Sequence, residues 1–421
     1  MTRAQKHTLG WMILIGLAYF AIFWLPNDKG AKDEHMLFLS SHDETVTYPY
    51  VVKMLTPGKD IHETRSNLLI YGDYHYGYPF YFLSMLVLLP VRLIYGDQFT
   101  AHTQLNLLLL RQMISVLPMI LSIGLLVYLQ TRLESRWRTL GLFVLMLSVQ
   151  GFVRNNINWW HPDALTLLAI MFTFFFLVRD DLRFGIHFYL AAAACGMAIA
   201  IKLAGFFFFL AIGGYLLAGI LQKRITWQRA VLHGVMFIVT MMLVAILSNP
   251  FLFYKSARER MFQIQSEHSY IVTHGWQNIP NSKDAYEVGP ATWIPTLTGW
   301  YAPLYYLAFL VVSLLAGCLW GRQKLLNRLM LAWIAPYAIY LLFFVAIKPD
   351  HYWLPVMLPL FSTAFNLTLL PAIQSAEKSS RWRTAAAALT LLVVLLAGLQ
   401  FTRSLNRDYP LYMRAVLQEV Q

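Results

Sequence analysis

Two adjacent carboxylates, Asp43 and Glu44, stand soon after the first apolar run of the chain, residues 9–26. They belong to a polar stretch that covers residues 27–78. A carboxylate pair beside a stretch long enough to cross a bilayer is costly unless ion handling or chemistry takes place there. The pair is therefore the first candidate for catalysis, with Asp43 as the candidate general base.

The residues after the pair predict an amphipathic helix on the membrane surface, because Val51, Met54 and Leu55 recur at helical spacing. Pro49 suits a position near the first turn of this helix. The carboxylate pair would stand just before the helix N-terminus, where the helix dipole favours the ionised form that a general base needs. A capping carboxylate with an exposed neighbour would give the same pattern without catalysis.

A further carboxylate, Asp163, ends the short polar stretch of residues 154–163, which also contains His161. It directly precedes the apolar run 164–178. An aspartate in that place can cap the following helix and still face a site. We expect Asp163 on the same side of the membrane as Asp43.

Isolated cations stand in or beside apolar runs, namely Arg111, Lys202 and Lys348. A charge at membrane depth costs roughly 2.5–3.5 kcal/mol on insertion scales, which predicts an ionic partner or a cavity. Snorkelling to the interface is the alternative, and it suits Lys348 at the end of an apolar run. Lys348 opens the turn 348–355, where an aromatic belt at the interface would explain Tyr352 without any function.

Cofactor motifs are sparse. Histidines are numerous in the polar segments, but no H-x-x-x-H spacing is present, so no metal ligands are assigned and a divalent metal stays open. The sequence has no Walker loop, no G-x-G-x-x-G after a strand and no Ser-centred nucleophile elbow. Cys195 and Cys318 lie in different apolar runs and predict buried thiols rather than a disulfide.

The composition indicates a polytopic membrane protein. Hydrophobic residues make up 58% of the 421 residues and charged residues 13%, whereas soluble domains carry roughly 25% charged residues. We predict an all-α fold with about eleven transmembrane helices plus amphipathic helices on the outer surface. The first run lacks an A-x-A-like exit site, so we expect it to be retained. The predicted spans cover residues 9–26, 105–130, 139–153, 164–178, 186–202, 203–221, 231–250, 297–319, 329–347, 353–373 and 384–401.

The distribution of positive charge predicts the orientation. The short loops, such as 132–138 and 322–328, are rich in Arg and Lys. If the run 80–95, interrupted by Pro90 and Arg92, lies on or dips into the outer leaflet, these loops share the side of the N-terminus. The positive-inside rule then makes that side cytoplasmic, in an inner or plasma membrane, and places the carboxylates outside. These loops also explain the net charge of +12, so nucleic-acid binding is not expected.

Two long segments between apolar runs are rich in aromatic, His and acidic residues. We call residues 27–104 the first polar segment and residues 251–296 the second polar segment. We predict a catalytic transmembrane module over residues 1–250, a second outer loop over 251–296, and C-terminal transmembrane helices over 297–421.

Taken in order, the motifs resemble the membrane glycosyltransferases of the GT-C fold. They are most similar to the protein mannosyltransferase and aminoarabinose transferase relatives, which use polyprenyl-phosphate sugars. The Asp-Glu pair is followed by the aromatic Tyr48 and a helix ending in Met-Leu, and His75-Tyr-Gly-Tyr-Pro-Phe-Tyr is similar to the family's His/Lys-Pro-Pro-Leu-Tyr-Tyr block. The departure is Gly77-Tyr78 before a single proline.

The resemblance covers roughly residues 9–220 and 340–365. Further matches are Arg111 to Ser115, Asp163-Ala-Leu, the small-residue run ending in Lys202, and Lys348 with Tyr352 and Pro355.

The resemblance implies transfer of a sugar by a single, inverting displacement at the anomeric carbon. Asp43 would take the proton of the acceptor hydroxyl, while Glu44 and Asp163 would orient the acceptor or hold a cation. The expected partners are a polyprenyl-phosphate-linked sugar and membrane lipid, and the acceptor is left open. Cations would neutralise the departing lipid phosphate. The substrate-binding residues so implied are Tyr48, His75, Arg111, Asp163, Lys202, Lys348 and Tyr352.

Two other functions would also use carboxylates and cations beside the membrane. A transporter or flippase of lipid-linked sugars would place charges near the middle of the bilayer and use broken or repeated helices. A glycan ligase or polymerase with diphosphate-linked donors would share an outward-facing site, and the sequence does not separate it from a transferase. The gathering of carboxylates in the polar segments favours a transferase.

Overall fold

The chain folds into a bundle of α-helices. The computed structural model describes residues 1–33, 36–37, 42–276 and 286–369, with seven single positions between 385 and 402. No strand occurs within these described residues, and the predicted all-α class is confirmed. The helices are α1 (Arg3–Ile22), α2 (Trp24–Lys29), α3 (His42–Leu55), α4 (Ile61–Leu69), α5 (Tyr78–Tyr95), α6 (Thr103–Leu110), α7 (Leu117–Thr131), α8 (Arg136–Leu147), α9 (Gln150–Asn156), α10 (Asp163–Asp180), α11 (Ile186–Lys202), α12 (Phe209–Leu221), α13 (Trp227–Leu247), α14 (Lys255–His274), α15 (Ile294–Trp300), α16 (Leu304–Trp320), α17 (Lys324–Phe344) and α18 (Leu354–Phe361).

Helix length and hydropathy together identify fewer candidate membrane spans among the described residues than the eleven predicted. Within the described residues, five helical stretches qualify, or six if the pair around α15 and α16, bent by 96°, counts as one span. The predicted count of eleven is therefore not confirmed. Helix α8 has 12 residues and α18 has 8, whereas a hydrocarbon core of ~30 Å needs about 20. The predicted span 384–401 lies outside the continuously described residues.

Several helices show the apolar exterior that a lipid environment requires. In the most apolar 18 residues of α13, only 17% of the residues are buried. In the helical stretch Arg3–Lys29, the corresponding share is 22%. Val231, Leu232 and Val235 of α13 are exposed. Because exposing so much apolar surface to water is unfavourable, these helix faces are suited to contact with lipid acyl chains.

The first polar segment has its own apolar core. Val51, Met54 and Leu55 of α3 are buried and pack in one cluster with the aromatic side chains at the start of α5. The predicted helix and its apolar face are confirmed, and that face packs against protein side chains, while its placement on the membrane surface stays a prediction. The predicted helix start is not confirmed. The helix begins at His42, so the carboxylate pair lies in its first turn and Pro49 lies in its interior.

Helices α10 and α11 pack side by side in opposite directions. The chain reverses between them in a tight turn, where the Asp180 carboxylate accepts hydrogen bonds from the amides of Phe184 and Gly185, both at 2.8 Å. The start of α10 therefore lies beside the end of α11. This arrangement places Asp163 against Lys202 although 39 positions separate them.

Candidate active site

The first turn of α3 points its two carboxylates in different directions. Successive residues of an α-helix are about 100° apart around the axis. Glu44 is completely buried, whereas Asp43 is exposed. The pair that is continuous in sequence is therefore divided into one interior group and one surface group.

Glu44 forms a buried ion pair with Arg111. Nε of Arg111 donates to Oε1 at 3.0 Å and Nη2 donates to Oε2 at 2.5 Å. The backbone amide of Trp160 also donates to Oε1, at 2.5 Å. Both charged side chains have no exposed surface, and burial of two charges is tolerable only with such complete pairing.

The remaining donors of Arg111 fasten three parts of the chain together. Nη1 donates to the carbonyl of Asn27 at 2.8 Å and to Oδ1 of Asn158 at 3.1 Å, and Nη2 donates to the carbonyl of Gly30 at 3.3 Å. A Cβ at Gly30 would lie 2.1 Å from the Asn158 side chain, so a glycine is needed there. Arg111 begins a π-helical turn, Arg111–Val116, a distortion that is frequent at functional sites.

A second ion pair joins Asp163 to Lys202. The ammonium of Lys202 donates to Oδ1 of Asp163 and also lies over the ring of Tyr352, 5.4 Å from its centroid. Beside this pair, Nε2 of His161 lies 2.7 Å from the hydroxyl of Tyr76. The structure therefore brings Asp163, Lys202 and Tyr352 together, although the sequence places them in three separate regions.

His75 is oriented by a carboxylate that sequence analysis missed, Asp73. Nδ1 of His75 lies 2.6 Å from Oδ1 of Asp73, and the hydroxyl of Tyr81 donates to Oδ2. The hydrogen bond to Asp73 raises the pKa of His75. Burial disfavours the charged form of Asp73, but the hydrogen bonds from His75 and Tyr81 outweigh it and lower the pKa of Asp73. The Asp-x-His spacing was the only available signal for this pair.

The segment that carries His75 is fastened to the end of α11. The amide of Gly77 donates to the carbonyl of Ile201 at 3.0 Å. A Cβ at Gly77 would lie 1.5 Å from the carbonyl oxygen of Ala200. The glycine at which this sequence departs from the family pattern is therefore required by the close approach of two backbones, and it holds the segment that carries His75 against the end of α11.

Helix α14 of the second polar segment packs against the same segment. The side-chain amide of Gln265 donates to the carbonyls of Tyr74 and His75, at 2.8 and 3.1 Å. The rings of His75 and His268 lie 6.3 Å apart in an edge-to-face arrangement. Burial lowers the pKa of His268 to about 4, so this imidazole is neutral at neutral pH.

The exposed carboxylate of Asp43 lies within electrostatic range of this group of side chains. Its charge contributes to the electrostatic environment of His75, Tyr76, His268 and Tyr352. No salt bridge of Asp43 is present among the described residues. We call Asp43, Asp73, His75, Asp163, Lys202 and Tyr352 the candidate active site.

Besides Arg111, two of the predicted substrate-binding residues have partners outside this group, Tyr48 and Lys348. The hydroxyl of Tyr48 accepts a hydrogen bond from the side-chain amide of Asn106 at 2.7 Å. The ammonium of Lys348 donates to the carbonyls of Glu287 and Val345, at 2.9 and 3.0 Å, and lies 4.8 Å from the ring centroid of Trp293. Their substrate roles stay predictions.

The fold is that of GT-C glycosyltransferases. ArnT from Cupriavidus metallidurans, in a structure bound to undecaprenyl phosphate, is similar over 98% of this chain and 74% of its own, with a TM-score of 0.50 and 15% identity. The apo oligosaccharyltransferase of Archaeoglobus fulgidus gives 13% identity and a TM-score of 0.46, over 92% of this chain. This chain spans 56% of the oligosaccharyltransferase. Neither a family model nor a curated protein matches the sequence.

The buried ion pair predicts that the two neighbouring carboxylates differ sharply in their effect on stability. Glu44→Gln leaves the Arg111 charge uncompensated and is expected to reduce the free energy of unfolding by about 3–5 kcal/mol. The matched control, Asp43→Asn, changes an exposed carboxylate and is expected to stay within about 0.5 kcal/mol of the parent. Thermal and denaturant unfolding of the purified protein in detergent measures both. Equal stability of the two variants would contradict the assignment.

Proposed function

We propose that this protein is a membrane glycosyltransferase that moves a sugar from a polyprenyl-phosphate donor to an acceptor hydroxyl on the outer face of the membrane. The GT-C fold supports the reaction class, and the undecaprenyl phosphate in the ArnT structure supports a polyprenyl-linked donor. The candidate active site lies where polar segments meet the ends of apolar helices. A lipid-borne donor needs a site at that level.

The observation that carries the proposal is the unequal pairing of the carboxylates. Glu44 is neutralised by Arg111, Asp163 by Lys202, and Asp73 is held by His75 and Tyr81. Asp43 alone among these four is exposed and has no ion pair within the described residues. A carboxylate that accepts a proton during reaction must be reachable by substrate, so Asp43 is the general base.

The reaction is a single displacement. The acceptor oxygen forms a bond to the anomeric carbon while the bond from that carbon to the phosphate oxygen of the donor breaks. Asp43 takes the proton of the acceptor hydroxyl, and the electron pair of the broken bond stays on the lipid phosphate. Attack opposite the leaving group inverts the anomeric carbon.

Cations around the candidate active site stabilise the negative charge that develops on the lipid phosphate. Lys202 has three N–H donors and gives one to Asp163, so the others can reach a phosphate oxygen. His75 is protonated more readily than an ordinary histidine because of Asp73. Arg260 of α14 lies close enough to influence His75 electrostatically. Charge-assisted hydrogen bonds from such groups stabilise a developing phosphate anion.

Glu44 and Arg111 take a positioning role in this proposal. Their mutual pairing leaves neither charge available to substrate. The pair instead holds the first turn of α3 against Trp160, which fixes the direction in which the neighbouring Asp43 faces.

The first functional prediction concerns Asp43. Asp43→Asn retains the shape of the side chain but cannot accept a proton, so the transfer rate should fall by about 10²–10⁴-fold with the fold intact. The assay follows a labelled sugar from a panel of polyprenyl-phosphate donors, with purified protein in liposomes. The control is Asp97→Asn, an exposed carboxylate paired with Arg92, which should transfer at the parental rate.

The same assay separates the competing functions. Transfer by Asp43→Asn at the parental rate would refute the role as base. Parental transfer only from diphosphate-linked donors would instead identify a ligase or polymerase. Movement of an unaltered lipid-linked sugar across the liposome membrane, without transfer, would identify a transporter.

A second prediction concerns the pH dependence of donor binding. His75 is protonated below its folded-state pKa, which lies above the ordinary value of about 6.5. The KM for the donor should therefore be constant at lower pH and rise as the pH passes through that pKa, where the cation is lost. Asp73→Asn removes the partner that raises the pKa, so the rise should begin at lower pH.

The matched variant for this prediction is His75→Lys, which stays charged up to a pH of about 10. It should abolish the rise in KM between about pH 6 and 9. The exposed His62, changed to Ala, should retain the parental curve. A parental pH curve in His75→Lys would show that His75 does not bind the donor phosphate.

A third prediction tests the orientation. A cysteine at Ser41 should be labelled by an impermeant thiol reagent from outside intact cells, and a cysteine at Ser135 only after permeabilisation. The native Cys195 and Cys318 are buried, so their background should be low. Labelling of both positions from the same side would refute the outer location of Asp43.

A further inference from the structure

Three side chains beside the candidate active site converge on one point. His161 precedes α10, Asp163 begins it, and His351 lies in the short helical turn Asp350–Trp353. One donor atom from each side chain lies within 4.8 Å of the others. The exposed fractions of the side chains are 3%, 9% and 15%, so the cluster is largely shielded from solvent.

The converging atoms have few partners besides one another. Nδ1 of His161 and Oδ2 of Asp163 lie 2.8 Å apart and pair with each other, and neither has a further hydrogen-bond partner within the described part of the chain. Nδ1 of His351 is unpartnered in the same sense. Buried polar atoms are rarely left unpaired, and an unfilled ion position is one explanation.

In two of the three side chains, His161 and Asp163, the polar atom that faces away from the cluster already forms a hydrogen bond. Nε2 of His161 is bonded to the hydroxyl of Tyr76 at 2.7 Å, which can fix the ring orientation and leave Nδ1 as the free lone pair. Oδ1 of Asp163 is bonded to Lys202, which leaves Oδ2 to face the cluster. Such outer hydrogen bonds orient first-shell ligands.

Aromatic side chains enclose the cluster. The ring of Trp159 lies 5.4 Å from that of His161 and 5.2 Å from that of His351. The two imidazoles are themselves 5.2 Å apart between centroids. A tetrahedral ion with bonds of about 2.0–2.1 Å holds its ligands roughly 3.4 Å apart. A modest rotation of the His351 ring would meet that spacing.

We propose that His161, Asp163 and His351 bind a divalent transition-metal ion, with Zn²⁺ as the best match. Two imidazole nitrogens and one carboxylate oxygen are the donors that Zn²⁺ accepts. Mg²⁺ and Ca²⁺ prefer sites made of oxygen alone. Three protein ligands leave a coordination position for water or a substrate oxygen. This site shares Asp163 with the candidate active site but does not use Asp43, and its test does not depend on the proposed transfer reaction.

The test uses the untagged full chain, purified in detergent and stripped with a chelator. Titration with Zn²⁺, followed by gel filtration and elemental analysis, should give one ion per chain. Co²⁺ should give the visible absorption of a histidine-coordinated ion, and Zn²⁺ should remove it. Tyr76→Phe, which removes only the second-shell bond, should weaken binding by about 10–100-fold.

The ligand variants decide the proposal. His351→Ala should weaken binding more than Tyr76→Phe does, and the matched control His62→Ala should bind as the parent does. Gel-filtration profiles verify that each variant is folded, and His351→Gln provides a second, milder loss of the imidazole. Failure of the parent to retain Zn²⁺, or parental affinity in folded His351→Ala and His351→Gln, would overturn the proposal. These readouts need no donor or acceptor, so they stand apart from the transferase tests.

Discussion

Burial of the Glu44 and Arg111 charges is the constraint on which the rest of the site depends. Removing two charges from water is expensive, and it is tolerated only when nearly every donor and acceptor is satisfied. Arg111 meets this requirement with a carboxylate, two backbone carbonyls and an asparagine side chain. In doing so, it connects parts of the chain that lie far apart in sequence.

One consequence is a division of roles between neighbouring residues. The helix that begins at His42 must turn one carboxylate inward to meet Arg111. Its neighbour Asp43 is exposed instead and influences His75 and His268 electrostatically. Neighbouring residues of a helix point about 100° apart. The residue that anchors the helix and the residue proposed as the base can therefore be adjacent in sequence and still face different surroundings.

The candidate active site is built from the ends of helices rather than from their interiors. The start of α10, the end of α11 and the turn before α18 meet there, and α14 packs over them. Because helix ends carry unpaired backbone groups and tolerate polar side chains, this level of the fold can hold charges that the apolar interior cannot. The GT-C fold is shared with ArnT at 15% identity, so the architecture persists although most residues differ.

The amino-acid sequence is sufficient to predict the class of the fold, the apolar face of α3, the buried thiols and the candidate carboxylates and cations. These follow from composition and periodicity, which depend on local chemistry and on the lipid environment. Which charges pair depends on the tertiary structure, because Arg111 meets Glu44 across 67 positions and Lys202 meets Asp163 across 39. It also revealed Asp73 as the partner of His75 and gathered His351 with His161 and Asp163. No sequence spacing encodes such contacts, since they arise only when antiparallel helices and distant turns are packed together.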